Sequence, residues 1–186
     1  MHKTTEIIIA GFGGQGVLSM GQTIAYSAMQ DSLETSWMPS YGPEMRGGTA
    51  NCTVIVSDGR ISSPLVSRYD VGIVLNQPSL DKFEKLIKPG GLLMFEDSTV
   101  VHPPTRDDIT ILRIAASEEA LRMEKKQIAN MIMLGAFLKV RPIVSIDAVL
   151  KALMKVLPER HHHLIPLNEQ ALKRGAELVI QQLEHV

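Results

Sequence analysis

Apolar residues occur along the chain in short continuous runs separated by amphipathic stretches. Residues 71–75 and 92–95 are continuously apolar, residues 6–10 form a short β-branched run, and residues 109–114 predict a further strand. Such runs are typical of strands covered on both faces, as in parallel sheets. Between two of them, Leu80, Phe83 and Leu86 recur at helical spacing. The alternation predicts an α/β fold with a doubly wound, mostly parallel, Rossmann-like sheet.

One part of the pattern predicts a departure from the parallel sheet. Residues 33–38 predict a second strand that Pro39 ends, and residues 49–56 predict a third. The segment 57–60, Ser-Asp-Gly-Arg, is typical of a tight turn leading back into a strand at Ile61. We therefore expect a β-hairpin excursion around this turn.

The last third of the chain predicts helices. Residues 131–138 are apolar on all sides, which indicates an internal helix. Ser145 is a suitable N-cap for the next helix, which Pro158 ends, and a final amphipathic helix follows. Because no repeat or low-complexity linker divides the sequence, residues 1–186 are predicted to form a single domain.

Composition excludes several classes of partner. The net charge of -1 and the pI near 6.6 provide no attraction to nucleic acid or to an anionic membrane. The N-terminal residues carry no apolar signal segment, and no apolar run reaches the about 20 residues of a membrane span. We therefore expect a cytoplasmic protein that binds neither nucleic acid nor a membrane.

The single cysteine, Cys52, limits redox and metal chemistry. An iron–sulfur cluster needs about four thiolates, so this chain cannot hold one by itself. The adjacent histidines at 161–163 cannot all face one ion on a helix. We predict no metal site in this chain, and Cys52, inside a predicted strand, is expected to be a buried structural residue.

A glycine-rich turn follows the first strand. Gly11, Gly13 and Gly16 satisfy G-x-G-x-x-G and open a helix, and Gly14 and Gln15 complete the turn. Glycines here permit a tight turn, close approach of a ligand and close packing of helix on strand, and the helix start offers N–H groups to an anion. A purely structural turn is an equal alternative.

A dinucleotide site also requires an acidic residue at the end of the second strand. Asp31 lies at the right distance from Gly11 but at the end of the first helix, and the predicted strand ends in Trp37-Met38-Pro39 without an acid. This departure counts against NAD.

A second glycine-rich segment is predicted to be a loop. Its candidate binding residues are Tyr41, Gly42, Glu44, Arg46, Gly47 and Gly48. The Arg46 guanidinium suits a phosphate or carboxylate, and Glu44 can orient it or pair with a partner chain. The alternative is a surface loop with a local Glu44–Arg46 pair, and we favour the binding site.

Three segments together resemble one family. The turn GFGGQG at 11–16, the loop SYGPEMRGG at 40–48 and the apolar NMIMLG at 130–135 strongly resemble the gamma subunit of 2-oxoacid:ferredoxin oxidoreductases, the pyruvate/ketoisovalerate oxidoreductase gamma family. The resemblance extends over nearly the whole chain. Met45 and Gly48 are more similar to the 2-oxoglutarate-type members.

The resemblance implies a subunit that is inactive alone and supplies no catalytic residue. Alpha and beta subunits, with a delta subunit in some members, would hold thiamine diphosphate, Mg²⁺ and the iron–sulfur clusters, and none of these would be held by this chain. The complex would convert a 2-oxoacid and coenzyme A to acyl-CoA and CO₂ and reduce ferredoxin. This chain would shape the coenzyme A side of the site, and homo-oligomers of the isolated chain are left open.

Two other functions remain open from the residues alone. The glycine fingerprint by itself would allow a free-standing NAD(P)- or flavin-binding protein. The second possibility is a non-catalytic binding module that uses the turn only for packing.

Overall fold

The computed structural model describes residues 3–41 and 49–183, which contain a six-stranded sheet in the order β2-β3-β1-β4-β5-β6. The strands are β1 (Thr4–Phe12), β2 (Glu34–Tyr41), β3 (Thr49–Ser57), β4 (Tyr69–Val74), β5 (Ile87–Glu96) and β6 (Thr110–Ile114). β1, β4, β5 and β6 pair in parallel, whereas β3 runs antiparallel to both β1 and β2. The predicted mostly parallel sheet is confirmed.

Helices connect the strands and cover the sheet. They are α1 (Val17–Gln30), α2 (Gln77–Phe83), α3 (Ala116–Arg122), α4 (Ala129–Val140), α5 (Ile146–Val156) and α6 (Ile165–Leu183), with 3₁₀ turns at Glu84–Leu86, Lys126–Ile128 and Glu159–Leu164. The predicted helix after the glycine turn, the internal helix and the C-terminal helices are confirmed. Ser145 caps α5, its hydroxyl oxygen accepting the N–H of Ala148 at 3.1 Å. No helix within residues 3–41 and 49–183 is long and apolar enough to cross a bilayer.

Both faces of the central strand β1 are buried, which explains its apolar run. On β1, Ile7 and Ile9 belong to the larger core under α1 and α4. Ile8 and Ala10, between them, belong to a smaller core on the opposite face under α2. A central strand covered on both faces has no solvent side on which polar residues would be favoured.

The predicted hairpin at residues 57–60 is wrong. Ile61 lies in no strand, and the chain next enters β4 at Tyr69. β4 pairs with β5 on one side and, from Val71 to Val74, with β1 on the other. The antiparallel hairpin is instead β2–β3, in which Glu34 pairs with Ser57 and Tyr41 with Ala50. The local turn signal was present, but strand pairing was decided by packing against β1.

Pro39 does not end β2 as predicted. It lies within the strand, opposite Cys52 of β3. β2 is an edge strand with a neighbour on one side only, and proline is tolerated at an edge because its missing N–H is not needed on the open side. β2 therefore extends to Tyr41.

Two glycines allow α4 and α6 to pack with their backbones in contact. A Cβ built on Gly135 of α4 would lie 2.0 Å from the carbonyl oxygen of Leu172 in α6. A Cβ on Gly175 of α6 would lie 1.9 Å from the carbonyl oxygen of Ile132 in α4. The contact is thus reciprocal, and neither helix can carry a side chain at its glycine without separating from the other.

A buried ion pair joins α3 to α6. Glu119, 4 % exposed, accepts from Nε of Arg174 at 2.6 Å and also pairs with Arg122. The hydrogen bond from Arg174 lowers the pKa of the Glu119 carboxyl, although burial acts in the opposite direction. The ionised form of Glu119 is therefore stabilised in the folded protein.

Gly135→Ala is expected to lower the free energy of unfolding by about 3 kcal/mol or more, because the methyl group meets backbone rather than a movable side chain. Alanine normally stabilises a helix by about 1 kcal/mol relative to glycine. A decrease in the free energy of unfolding, instead of an increase, therefore indicates the close contact between the helices. Urea unfolding measures it. The double variant with Gly175→Ala should cost less than the sum of the two single changes, since one separation of the helices accommodates both methyl groups. A stabilised Gly135→Ala chain would contradict the close contact.

Glu119→Gln is expected to lower the free energy of unfolding at pH 7 by about 1.5–3 kcal/mol, because a charge-assisted bond to Arg174 is lost. The folded pKa of Glu119 lies below its unfolded value, so its contribution is complete above the unfolded pKa and disappears as pH falls through the folded pKa. The difference between the wild type and Glu119→Gln should therefore shrink below about pH 4.5. Glu118→Gln, at an exposed neighbouring glutamate, is the matched control and should change little at any pH.

Candidate functional site

The carboxyl ends of β1, β4 and β5 meet at one edge of the sheet. The chain leaves β1 through α1 on one face and leaves β4 through α2 on the other, so the strand order reverses between β1 and β4. In open α/β sheets, ligands bind in the crevice at such a reversal. The glycine turn at residues 13–16 lies at this point, between the end of β1 and the start of α1.

The side chain of Gln15 closes the gap between the two strand ends. Its Oε1 accepts the N–H of Phe12 at 2.6 Å, and its Nε2 donates to the carbonyl oxygen of Leu75, just after β4, at 2.9 Å. Both ends of the amide are thus used within the chain. The predicted contact of Gln15 with a ligand stays a prediction, and its structural role is to join β1 to β4.

The glycines of the fingerprint have different roles from those expected. Gly11 still belongs to β1, and a Cβ there would lie 2.6 Å from Oε1 of Gln15. Gly16 is the N-cap of α1 at φ +76°, and its Cβ would lie 2.4 Å from Nδ2 of Asn130 in α4. Close packing of α1 on the sheet instead occurs at Gly21, whose Cβ would meet Sγ of Cys52 at 2.4 Å.

Gly13 and Gly14 form the exposed part of the turn. Gly14 has φ +94°, and a Cβ there would meet no atom within 4 Å. No side chain caps the N-terminus of α1, because Gly16 has none to offer. A 14-residue helix with an uncapped N-terminus beside an open glycine can accept an anion on its backbone N–H groups.

A cavity of about 240 Å³ lies beside the turn, and we call it the carboxyl-edge crevice. The turn forms one wall, Leu75 and Glu96 at the ends of β4 and β5 form the floor, and Ser117, Asn130 and Met133 from α3 and α4 form the far wall. Lys126 also lines the cavity and is exposed. The Asn130 side chain donates to the carbonyl oxygen of Gly16 at 3.4 Å and so holds α4 against the turn.

Glu96 is the feature of the crevice that sequence reasoning missed. It is 2 % exposed, its Oε1 accepts the N–H of Ser117 at 3.0 Å, and its Oε2 has no hydrogen-bond partner among the described residues. The available signal was a single carboxylate directly after the apolar run at residues 92–95. Asn130 was part of the motif at 130–135, but its contact with Gly16 depends on how α4 packs.

The second glycine-rich segment begins and ends at the same edge of the sheet. Phe12, at the end of β1, pairs with Thr49, and Tyr41 pairs with Ala50. The backbone of Tyr41 ends β2, whereas its side chain lies outside what the structure describes. Gly42, Glu44, Arg46, Gly47 and Gly48 lie outside the described residues, so their binding roles stay predictions.

Asp31 has a structural role instead of a nucleotide-binding one. Its carboxylate accepts from the backbone N–H of Ser145 at 2.6 Å and from the Ser145 hydroxyl at 2.9 Å, and so joins the end of α1 to the start of α5. An acid engaged in this way is not available to a ribose, which counts further against an NAD site.

Cys52 is buried on β3, and its thiol donates to the carbonyl oxygen of Val17 at 3.6 Å. Burial raises the pKa of the thiol to about 12. The thiolate needed for nucleophilic attack is therefore scarce at neutral pH, and the prediction of a structural cysteine is confirmed. Within residues 3–41 and 49–183, no group of three or more His, Cys, Asp or Glu side chains could hold a metal ion.

The sequence is related to two curated archaeal proteins. It is 36% identical over 179 residues to the ketoisovalerate oxidoreductase subunit VorA of Methanothermobacter thermautotrophicus, covering 96% of this chain but only 37% of the relative. It is 34% identical over 160 residues to the 2-oxoglutarate synthase subunit KorC of Methanocaldococcus jannaschii, covering 83% and 84% of the two chains. The chain thus spans well under half of the VorA protein and most of the KorC protein.

Two solved structures have similar folds. The keto/oxoacid ferredoxin oxidoreductase gamma subunit of Geobacter sulfurreducens superposes with a TM-score of 0.82 at 28% identity, covering 96% of this chain and 98% of that one. The 2-oxoglutarate:ferredoxin oxidoreductase of Magnetococcus marinus, solved with 2-oxoglutarate, coenzyme A and succinyl-CoA bound, gives 0.87 at 23% identity, covering 96% of this chain and 31% of that one. The second likeness shows the fold alone.

The family model described as pyruvate ferredoxin/flavodoxin oxidoreductase matches residues 6–178, which include every strand from β3 to β6 and the entire carboxyl-edge crevice. With so much of the chain matched, and with a relative at 34% identity over most of its length, this protein belongs to the pyruvate ferredoxin/flavodoxin oxidoreductase family.

Proposed function

We propose that this chain is the gamma-type subunit of a 2-oxoacid:ferredoxin oxidoreductase and that its carboxyl-edge crevice forms one wall of the coenzyme A site. The observation that carries the proposal is the uncapped N-terminus of α1, beside the open glycine Gly14, at the reversal of strand order. Coenzyme A carries phosphates, and backbone N–H groups at a helix start are suited to bind them.

The subunit part of the proposal is supported by the comparison of lengths. The same module is about 37% of the VorA relative and nearly the whole of the Geobacter gamma subunit. A module that occurs both within a longer chain and as a separate subunit is expected to contact other protein surfaces. Thiamine diphosphate, Mg²⁺ and the iron–sulfur clusters would lie on the alpha, beta and delta partners, since one cysteine cannot supply the thiolates of a cluster.

The size of the crevice supports a shared site. Its volume of about 240 Å³ lies below the about 300–1,000 Å³ usual for small-molecule sites. The crevice can therefore hold one part of coenzyme A, and a partner subunit would cover the rest. The complex would be cytoplasmic and would transfer electrons to ferredoxin.

The 2-oxoacid is proposed to be 2-oxoglutarate. The support is the sequence of the loop at Met45 and Gly48 and the similarity to KorC over 83% of this chain. The VorA relative has slightly higher identity, so the substrate assay must compare 2-oxoglutarate, pyruvate and 2-ketoisovalerate directly. The highest kcat/KM should be found with 2-oxoglutarate, and a higher value with either of the others would overturn this assignment.

Gly14→Ala is expected to raise the KM for coenzyme A about tenfold in the reconstituted complex, with little change in the KM for the 2-oxoacid. Alanine at φ +94° strains the turn by about 1–2 kcal/mol and places a methyl group where the ligand approaches. Tenfold corresponds to about 1.4 kcal/mol of lost binding. The assay is 2-oxoacid-dependent dye reduction at varied coenzyme A.

Gly90→Ala is the matched control for this measurement. Gly90 also has positive φ, +74°, and open space at its Cβ position, but it lies in β5 toward the amino ends of the parallel strands. It should destabilise the chain similarly and leave the KM for coenzyme A unchanged. Equal effects of the two variants, or an unchanged KM with both Gly14→Ala and Arg46→Ala, would refute the coenzyme A role.

A further inference from the structure

The carboxyl-edge crevice contains a buried acceptor that has no hydrogen-bond partner among the described residues. Oε1 of Glu96 accepts the N–H of Ser117, and Oε2 accepts from no described residue. An unsatisfied buried polar atom destabilises the folded state, and does so more when it is charged. Native proteins carry few such groups, and each one calls for a specific explanation.

Glu96 also differs from the other buried glutamate of the chain. Glu119 is similarly enclosed, yet both of its oxygens pair with arginines. Within residues 3–41 and 49–183 no cation pairs with Glu96, which lines a cavity, whereas Glu119 lies between two helices. The contrast shows that this fold does satisfy a buried carboxylate where the carboxylate is structural.

The crevice has two chemically different regions. The acceptor, Glu96, is buried on the floor, whereas the turn with Gly14 and the exposed ammonium of Lys126 lie where an anion can be bound. A carboxylate on the floor repels a phosphate and attracts a hydrogen-bond donor. A ligand with an N–H group at one end and an anionic group further along matches this arrangement.

We infer that Glu96 is a binding residue whose Oε2 accepts a hydrogen bond from an N–H group of the ligand in the carboxyl-edge crevice. This inference rests on the proposed function, in which that ligand is coenzyme A. Coenzyme A offers two sources of such a donor: the exocyclic amine of its adenine and the amides of its pantetheine arm. The shared chemistry is an N–H donor directed at a buried carboxylate, and the analogues below separate the sources.

The test compares the wild type with Glu96→Gln in the reconstituted complex. Glutamine keeps the shape and the acceptor for Ser117, but it replaces Oε2 with an NH₂ group that cannot accept. The KM for coenzyme A should rise about tenfold or more, as for a lost charge-assisted hydrogen bond. Glu119→Gln is the matched control and should leave the KM for coenzyme A unchanged while lowering stability.

Thermal unfolding of the full chain without ligand provides a readout that a structural residue would not give. Because Glu96→Gln removes an unpartnered buried carboxylate oxygen, its midpoint should be equal to or higher than that of the wild type. Weaker binding with undiminished stability supports the inference. A lowered midpoint with an unchanged KM would overturn it and assign Glu96 to capping α3.

Two analogues identify the donor. One analogue of coenzyme A carries hypoxanthine in place of adenine. If the donor is the exocyclic amine, the KM of the wild type for this analogue should no longer be lower than that of Glu96→Gln. With pantetheine, which lacks the nucleotide, the lower KM of the wild type should persist if the donor is an amide. If the wild type has no lower KM than Glu96→Gln for coenzyme A or for either analogue, the inference is overturned.

Gly14→Ala separates failure of this inference from failure of the proposed function. If Gly14→Ala raises the KM for coenzyme A and Glu96→Gln does not, the crevice binds coenzyme A without Glu96 and only the inference fails. If neither variant changes the KM, the proposed site itself is wrong.

Discussion

The backbone contact between α4 and α6 determines where the walls of the crevice lie. Gly135 and Gly175 remove the side chains that would otherwise keep the two helices apart, so α4 is enclosed between α6 and the sheet. Enclosure on all sides is why residues 131–138 are all buried. The start of α4 then lies against the glycine turn, where Asn130 contacts Gly16. A crevice bounded by α4 thus depends on the absence of side chains at Gly135 and Gly175, two positions far apart in the sequence.

The secondary structure was predictable wherever one local signal decided it. The continuous apolar runs of β1, β4 and β5, the all-apolar α4 and the Ser145 cap were each read from adjacent residues. The pairing of the strands into a hairpin could not be predicted in this way. The turn sequence at residues 57–60 is the same whether or not a strand follows it. Which strand pairs with β3 depends on β1 and β2, and the position of β2 at the sheet edge also explains the tolerance of Pro39.

The candidate site was predictable in its location and not in its chemistry. The spacing of Gly11, Gly13 and Gly16 predicted a turn opening a helix, and the structure has it. The physical reasons for the glycines differ from the expected ones. A side chain at Gly16 would collide with Asn130, and the close packing of α1 on the sheet occurs at Gly21. These neighbours come from α4 and β3, distant in sequence. Glu96 could be seen as a strand-ending acid, but only the fold shows that one of its oxygens has no partner among the residues that the structure describes.

The antiparallel return of β3 has a consequence for how proteins of this architecture diversify. Both ends of the hairpin tip, Tyr41 and Thr49, are fixed by strand pairing beside the end of β1. A segment anchored in this way can lose, gain or exchange residues while the ladder behind it keeps its register. The glycine turn has no such freedom, since Gln15 joins two strands and Gly16 meets α4. The sequence between β2 and β3 can therefore vary more freely than the glycine turn without altering the fold.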